Sequence, residues 1–578
     1  MQRKHYIIGG SIVGVLVLLG ALWWFTRTDL SNQIVIPYIA HQKPQLDPHL
    51  LHSVPISDKL DEVLFDGLFN ISANPSGVVF EDALGEFIDI YDNSEVVVRL
   101  KPDIKWHSSF DVKLADKGEV TISEAQDVLF TAQDLNFTLK RIRQLGSLSP
   151  DYILVSQALE SWDFEGPDNN NEIRFRFKDD RIWTETDIKT VLSFKIIPHT
   201  SELAAQNYYV GSGPYLAVVP QAEVTKFFRN PASRTTIEQV KLSPFVDNST
   251  FTTELKNGNI NVLLDTPFGG LSSILEDKED YFVKSNISTT FFAVLFNTQR
   301  LGLQERLELR KLLNHKTIIQ RFFKVGTEQQ RHVTDYKGNS DNYDDYLNYS
   351  VFPSSSYYVE EEIVIPPRDR SAPNVAVLPD SVKIAACLNY GHREEYSELI
   401  EILNDRSLFQ GRVRALAVNN ETIRRGDYDA LLIAIDGYKS TFLFDLYNIF
   451  LREPSFAVSK ISLKTETNSK GEIVAASQSL QANNNFCRLD AMKDGPEKED
   501  ILKFLEYMHG FMYTNNVGDR QFYAQYFDEI EQQMALGAWL FSMPSLAYFS
   551  TQFDDLTIDL YGVASQLSTV EKWQERRD

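Results

Sequence analysis

LDPHLLHSVPISDKLDEVLFDGLF, residues 46–69, decides how this chain is read. Pro48 and Pro55 bracket a turn; after it Leu60, Val63, Leu64 and Leu68 recur on one helical face, and Gly67 lies near the stop. Upstream, QIVIPYIA (33–40) reads as a strand. Downstream, IDIYDNSEVVVRLKP (88–102) and NEIRFRFK (171–178) alternate as strands do. SEAQDVLFTAQDLNFTLKRIRQ (123–144) between them reads as a helix with Ser123 as its N-cap.

Three short strands follow in GSGPYLAVV (211–219), EVTKFFRNP (223–231) and IEQVKLSPF (237–245). A third block opens with TTFFAVLFNTQ (289–299) and the basic helix RLELRKLLNHKTIIQRFFKVG (306–326). The apolar positions of that helix recur at helical spacing, which predicts a packed helix with a charged outer face. From Thr327 to about Pro379 periodicity fails, and a surface loop is expected. VKIAACLNYG (382–391), EEYSELIEILND (394–405) and DYDALLIAI (427–435) then alternate strand, helix and strand as an α/β unit. Helical patterns at 499–513 and 520–536 lead into the apolar run WLFSMPSLAYFS (539–550). There is no internal repeat. Strands and helices mix without a regular βαβ rhythm, so the expected class is mixed, α+β with α/β parts.

The ends and the charge bound the location. Arg3, Lys4 and His5 precede YIIGGSIVGVLVLLGALWWF (6–25), an uncharged run closed by Trp23, Trp24 and Arg27. At helical rise about 20 residues span roughly 30 Å, the thickness of a bilayer's hydrocarbon core. Basic residues on its amino side keep that side cytoplasmic and place the rest across the membrane. A cleaved signal peptide is the competing reading, but bulky aromatics stand where a peptidase needs small residues, so a retained single-pass anchor is favoured. Length alone calls for two or three structural units. Residues 1–29 hold Arg3, Lys4, Arg27 and Asp29; without them the chain has 54 basic against 79 acidic side chains, a net charge of −25. Such a body does not bind nucleic acid or adhere to anionic lipid by charge.

The commonest chemistries are absent as motifs. No GxxxxGK[ST], GxSxG, HExxH or CxxC occurs, so no catalytic residue, metal ligand or cofactor is assigned. Cys387 and Cys487 stand a hundred residues apart, and a disulfide and two buried thiols are both open readings. His49 and His52 form the one close histidine pair; cleft lining or plain surface is the expectation, with a metal site the lesser alternative. Asp341, Asp344 and Asp345 lack the glycine and terminal Glu of a calcium loop and read as solvated.

Six segments in order carry a resemblance. Leu46-Asp47-Pro48-His49, Val54-Pro55 and Leu64-Phe65-Asp66-Gly67-Leu68 resemble the LDP, cleft turn and LFEGL helix of the extracytoplasmic solute-binding proteins of peptide-type ABC importers (solute-binding family 5). Val98-Arg99-Leu100-Lys101-Pro102 with Lys105-Trp106 and Glu124 to Val128 is similar to a second signature of that family. Gly211-Ser212-Gly213-Pro214-Tyr215 and Arg229-Asn230-Pro231 are similar to its GTGPY and RNP strands. Leu255 to Asn261, and Phe296-Asn297 with Leu309 to Ile319, complete the series.

The resemblance implies a type II periplasmic-binding-protein-like fold of two lobes and an inserted third domain. Its expected bounds are 1–29 for the anchor, 30–48, 185–288 and 540–578 for a discontinuous lobe I, 49–184 for the inserted domain and 289–539 for lobe II. It also implies no catalysis, a short peptide or similar extended solute as ligand, an ABC permease as partner, and an interlobe cleft. His52 and Val54 match the first cleft turn, Tyr152 is a candidate cleft wall, and Ile433, Ala434, Ile435, Asp436 and Tyr438 match the cleft strand. There the pattern departs: where the family places an Asp that pairs with a peptide's amino terminus, neither frame of Tyr428 to Tyr438 supplies one. Asp436 substitutes if the strand shifts; otherwise it is an ordinary strand-end carboxylate. The degraded strand and the anchor support an alternative, a binding-protein fold used as a sensor or structural part of an envelope assembly. A hydrolase using cleft carboxylates has no positive support.

Overall fold

The computed structural model describes residues 30–576 except 41–42, 51–54, 75–76, 92–93, 115–119, 164–170, 179–182, 184, 202–207, 218–224, 265–279, 314, 325–345, 349, 352–370, 388–392, 436–462, 468–472, 479–485, 490–495, 514–516 and 561–565. The run 6–25 and Asp341 to Asp345 lie outside them. Among the described residues no helix is long and apolar enough to cross a membrane.

Strands β1 (Gln33–Ile39), β2 (Tyr215–Ala217), β3 (Lys226–Arg229) and β4 (Gln239–Phe245) form one sheet in the order β1-β4-β3-β2. β1 and β4 run parallel, from Gln33 opposite Gln239 to Ile39 opposite Phe245. The free edge of β1 is closed by a side chain: Asn261 Oδ1 accepts from the Val35 N–H at 2.7 Å, and its amide donates to Gln33 O at 2.7 Å. Asn261 thereby does for β1 what another strand would, since a buried backbone donor must be paired.

A second sheet of six strands comprises β5 (Val262–Leu264), β6 (Tyr281–Phe296), β7 (Val382–Cys387), β8 (Val413–Val418), β9 (Ala430–Ile435) and β10 (Gly537–Ser550), in the order β5-β10-β6-β9-β7-β8. β7 is parallel to both β8 and β9, with the helix Arg393–Leu403 between β7 and β8; the 382–435 alternation predicts β7, that helix and β9, but not β8. β6 and β10 are the long members. Phe282 and Phe549, at one end of this ribbon, pack in a core shared with β1, β4, the helix Pro55–Leu64 and Trp573 (the terminal core). Phe292, Val294, Leu540 and Phe541, at the other end, pack in the large-sheet core. Between the two cores the register slips: Ile287 faces Pro544 and Phe291 faces Ser542, so Ser288, Thr289 and Thr290 stand opposite Met543 alone.

A third, inserted core gathers Leu68, Phe69, Trp106, Leu135, Leu139, Ile142, Phe175 and Trp183 around an antiparallel sheet of Gly85–Tyr91, Glu95–Leu100, Glu172–Phe177 and Leu159–Asp163. The opening segment crosses between cores. Leu60, Val63, Leu64 and Phe65 lie in the terminal core, Leu68 and Phe69 in the inserted one. Gly67, between them, has no room for a side chain, because a Cβ would sit 2.8 Å from Ser193 O. The same holds at Gly213, where a Cβ would meet the Leu64 carbonyl carbon at 2.6 Å, and at Gly211, where it would overlap the Leu64 oxygen. The Gly213 N–H donates to that oxygen at 2.9 Å and Ser212 Oγ donates to Asp66 at 2.9 Å. His107 completes the knot, its Nδ1 accepting from the Gly211 N–H at 3.1 Å and its Nε2 lying 3.0 Å from Gly213 O.

Arg141, on the helix Ala132–Leu145, pairs bidentately with Asp47 at 3.0 and 2.8 Å, both side chains being buried. Asp47 belongs to the LDP turn and Arg141 sits on the same buried face as Leu135, Thr138 and Leu145. His49 is buried beside them with Nε2 2.7 Å from Lys195 O, which corrects the expectation of cleft lining or surface: the turn folds inward because Asp47 must reach Arg141.

Four further expectations are corrected. The helix drawn from Ser123 starts at Ala132, capped by Thr131 and Asp134, because Ser123 pairs with Asp111 in the hairpin Phe110–Leu114/Val120–Glu124. The basic tract is two helices, Leu303–Leu312 and His315–Phe322. Nor are all its charges outside: buried Arg306 donates to Met534 O and Leu301 O, and Arg310 to Gly537 O and Glu531, so the two guanidiniums satisfy carbonyls at and beyond the end of the helix Val517–Met534. Within the expected surface loop, Tyr346, Leu347, Asn348, Ser350 and Val351 are buried, and Leu347 bridges Phe541 on β10. Cys487 is a buried free thiol, pushed up by that burial and donating to Leu536 O at 3.5 Å.

Truncating one partner of the buried pair leaves the other uncompensated. Arg141→Met is therefore expected to lose about 3–5 kcal/mol in chemical denaturation, and Arg141→Met with Asp47→Leu to regain most of it. Acid sensitivity follows from the histidines. Burial lowers both His49 and His107 to about 4, Arg141 adding to the effect at His49. Below the unfolded value of 6.5 the unfolded chain takes protons that the folded chain refuses, so each costs stability as pH falls from 6.5 to about 4, by up to about 1.4 kcal/mol per unit. Asp528, raised to about 7 by burial and by Glu531, acts in the opposite sense, losing stability as pH rises from 3.8 to 7. Denaturation midpoints measured in an Asp528→Asn background isolate the histidine slope, and a flat profile there would contradict it.

Candidate ligand cleft

Parallel strands collect their carboxyl ends on one edge of a sheet, where loops rather than ladder bonds follow, and such edges are where α/β sheets hold ligands. Here β7 and β8 end together at Cys387 and Val418, and β9 runs on beside them to Ile435. β9 is the expected cleft strand. It is antiparallel to β6 over its full length, with Ile435 opposite Phe291 and Ala434 opposite Phe292, but it pairs with β7 only from Ala430 to Leu432.

The last three residues of β9 thus lose their β7 neighbour. Ile433 and Ile435 are buried, whereas Ala434 is half-buried against the large-sheet core. The backbone donor left over at Ala434 is taken by a side chain: its N–H donates to Tyr396 Oη at 2.6 Å. Tyr396 comes from the helix Arg393–Leu403, is buried, and stands edge-on to Phe292 at 5.6 Å between centroids. A hydroxyl occupies the position at which an added strand would bond to this edge.

Ile433, Ala434 and Ile435 lie on one strand, at the large-sheet side of the β6–β10 crossing. Tyr152 is elsewhere: it opens the helix Tyr152–Ala158 and packs, half-buried, on the inserted core. His52, Val54, Asp436 and Tyr438 lie outside the described residues. Among the described residues no group of three or more His, Cys, Asp or Glu gathers as a metal site. Sequence reasoning missed Tyr396 and Arg141. The spacing of Arg141 with Leu135, Thr138 and Leu145 was a signal for burial, since a charge on an apolar stripe needs a partner. Tyr396 carries no such signal, because its partner is a backbone N–H.

No protein-family model matches the chain, and no curated protein matches it in sequence. Solved structures do match in fold. The ABC transporter substrate-binding protein CtaP of Listeria monocytogenes superposes with a TM-score of 0.64 at 13% identity over 94% of this chain and 99% of its own. A dipeptide-binding protein from Pseudoalteromonas, in complex with Met-Leu, gives 0.62 at 15% identity over 94% and 100%. NikZ of Campylobacter jejuni, in complex with nickel and L-histidine, gives 0.58 at 13% over 94% and 99%. The chain has the fold of substrate-binding proteins of ABC transporters across nearly its whole length.

Tyr396→Phe removes the acceptor without changing the ring. It is expected to cost about 1 kcal/mol and to speed amide exchange at Ala434 well beyond its neighbours; unchanged exchange at Ala434 would show that the bond does not hold the strand end.

Proposed function

We propose that this chain is a membrane-tethered, extracytoplasmic solute-binding protein that takes a short peptide, or a similarly extended solute, between two lobes and passes it to an ABC permease. Lobe I comprises 30–48, 185–288 and 540–578 and lobe II 289–539 as the resemblance implies, with the inserted domain's expected bounds of 49–184 shifted, because Ile56 to Phe65 pack in the terminal core of lobe I and Ile188 to Ile196 in the inserted core. The observation that carries the reading is the β6–β10 ribbon. It joins the terminal core to the large-sheet core through a three-against-one bulge, next to the free end of β9. A paired ribbon broken in register between two rigid cores bends there at least cost, which is what closure on a guest requires. The run 6–25 supplies the tether.

The ligand lies along β9; His52 and Val54 carry over from the family's first cleft turn, whose backbone holds the peptide main chain, Tyr438 from its cleft strand, and Asp436 is the carboxylate that substitutes for the missing partner of the peptide's amino end. No covalent chemistry is involved; the work is a difference in affinity between open and closed states. The Tyr396 hydroxyl on Ala434 favours the second reading, a fold kept as a sensor or structural envelope component, because it occupies a bond a peptide would use.

Thermal unfolding of the full chain in detergent separates the two. At a hundredfold excess over Kd a binder gains roughly 2.7 kcal/mol. The expected result is a shift with peptide mixtures that Asp436→Asn largely abolishes. Unchanged shifts in Asp436→Asn remove that residue from the site, and no shift with peptides or nickel–histidine hands the function to the second reading.

A further inference from the structure

The helix Val517–Met534 has two unlike faces. Asp528, Glu531 and Met534 are buried, and Glu531 accepts from Trp539 Nε1 on β10 at 3.0 Å. On the other side Asp519, Phe522, Tyr526, Glu529 and Gln533 are all exposed. They recur at intervals of three and four residues and therefore form one outward stripe. The outward stripe of a helix packed by its other face is expected to be polar; the middle of this one is aromatic. Phe522 is 48% and Tyr526 41% exposed, with their rings 4.5 Å apart. The adjoining helix Pro496–Tyr513 adds Tyr507, stacked on Tyr526 at 5.4 Å and edge-on to Phe522 at 6.2 Å, and Tyr523 flanks Phe522 at 5.5 Å. A lone exposed apolar side chain signifies nothing, but rings in mutual contact on an outward face make a platform.

The platform is held from below. Arg306 joins the start of one helix, at Glu497, to the end of the other, at Met534 O, while Arg310 holds Glu531 and Gln532. Its rim is acidic. The exposed charged side chains among the described residues of the two helices are Glu499, Asp500, Lys503, Asp519 and Glu529, and Lys503 lies 3.9 Å from Asp500. Four carboxylates thus stand against one ammonium. Asp519 and Glu529 bracket the aromatic pair, ten positions and about 15 Å apart along the helix. Ring faces between two carboxylates attract a guanidinium or ammonium, and the same carboxylates repel an anionic surface.

We propose that this face of the helix pair docks a basic, amphipathic segment of another protein. Arginine or lysine side chains about 15 Å apart on that segment meet Asp519 and Glu529, and the apolar side chains between them lie on Phe522 and Tyr526. The inference requires neither the membrane anchor nor a ligand in the cleft.

The test is fluorescence anisotropy with the full chain in detergent and three labelled helical peptides. One carries arginines about ten positions apart around a leucine centre, the second has glutamates in their place, and the third scrambles the first. The arginine peptide is expected to bind about tenfold tighter than either of the others. Phe522→Gln with Tyr526→Gln leaves the net charge unchanged and should cost about tenfold in that affinity. Asp519→Asn with Glu529→Gln should cost several-fold and flatten the salt dependence. Val246→Ser, at an 81% exposed position beyond β4, should change nothing. Should the aromatic variant fail to fold, Asp519→Lys with Glu529→Lys carries the test, because it should turn the preference toward the glutamate peptide. Equal affinities for the three peptides, an aromatic variant that folds and binds as before, or charge reversal without effect on the preference overturns the proposal. So does self-association of the chain that Phe522→Gln with Tyr526→Gln abolishes, which makes a second copy the occupant.

Discussion

Two glycines let one stretch of backbone lie against another, and the arrangement of the first half of the molecule depends on that contact. At Gly211 and Gly213 the strand-entry turn presses on the Leu64 carbonyl so closely that no Cβ fits. The Gly213 N–H then serves as the last acceptor-filling bond of the helix Pro55–Leu64. Because the helix must end there, the chain turns at Asp66 and Gly67 and enters a different core. His107, neutral and donating through one ring nitrogen while accepting through the other, ties the inserted core to the same turn. Backbone approach of this kind is non-negotiable in a way that apolar packing is not, since a single methyl group has nowhere to go.

Buried charge plays the corresponding part elsewhere. Arg141 with Asp47 holds the LDP turn to a helix ninety residues downstream, and Arg306 with Arg310 ends the helix Val517–Met534 where it must turn into β10. In each case the guanidinium satisfies groups that would otherwise be orphaned. Its value lies less in net stability than in allowing one arrangement and penalising the rest. β10 then runs back through the large sheet into the terminal core beside β6, and the slip in register falls where the two cores part.

The candidate cleft was partly legible. DYDALLIAI gave its strand and VKIAACLNYG its parallel neighbour β7, whereas β8 was not read from the sequence. The shortness of the β7–β9 ladder was not legible, because ladder length depends on which residues lie opposite in space. Tyr396 was hidden for the same reason: as one aromatic on an amphipathic helix it reads as core, and its hydroxyl acquires a role only when the unpaired Ala434 N–H lies beside it. His49 was misread because a histidine between two prolines looks solvent-facing until the Asp47 pair draws the turn inward.

By itself the sequence determined the order and type of most elements, the apolar run ahead of the body, the absence of the common catalytic motifs, and the glycine and proline signatures that resemble a known architecture. These are local properties: periodicity, backbone permissiveness and charge act within a few residues of where they are written. Only the tertiary structure decided that Asn261 closes the edge of β1, that arginines in a basic tract turn inward, that Tyr346, Leu347 and Leu378 of a low-periodicity stretch join the large-sheet core, and that the first and last described residues meet at one pole. Each of those depends on a partner tens to hundreds of residues away, and burial makes the partner obligatory without saying in advance which one it is.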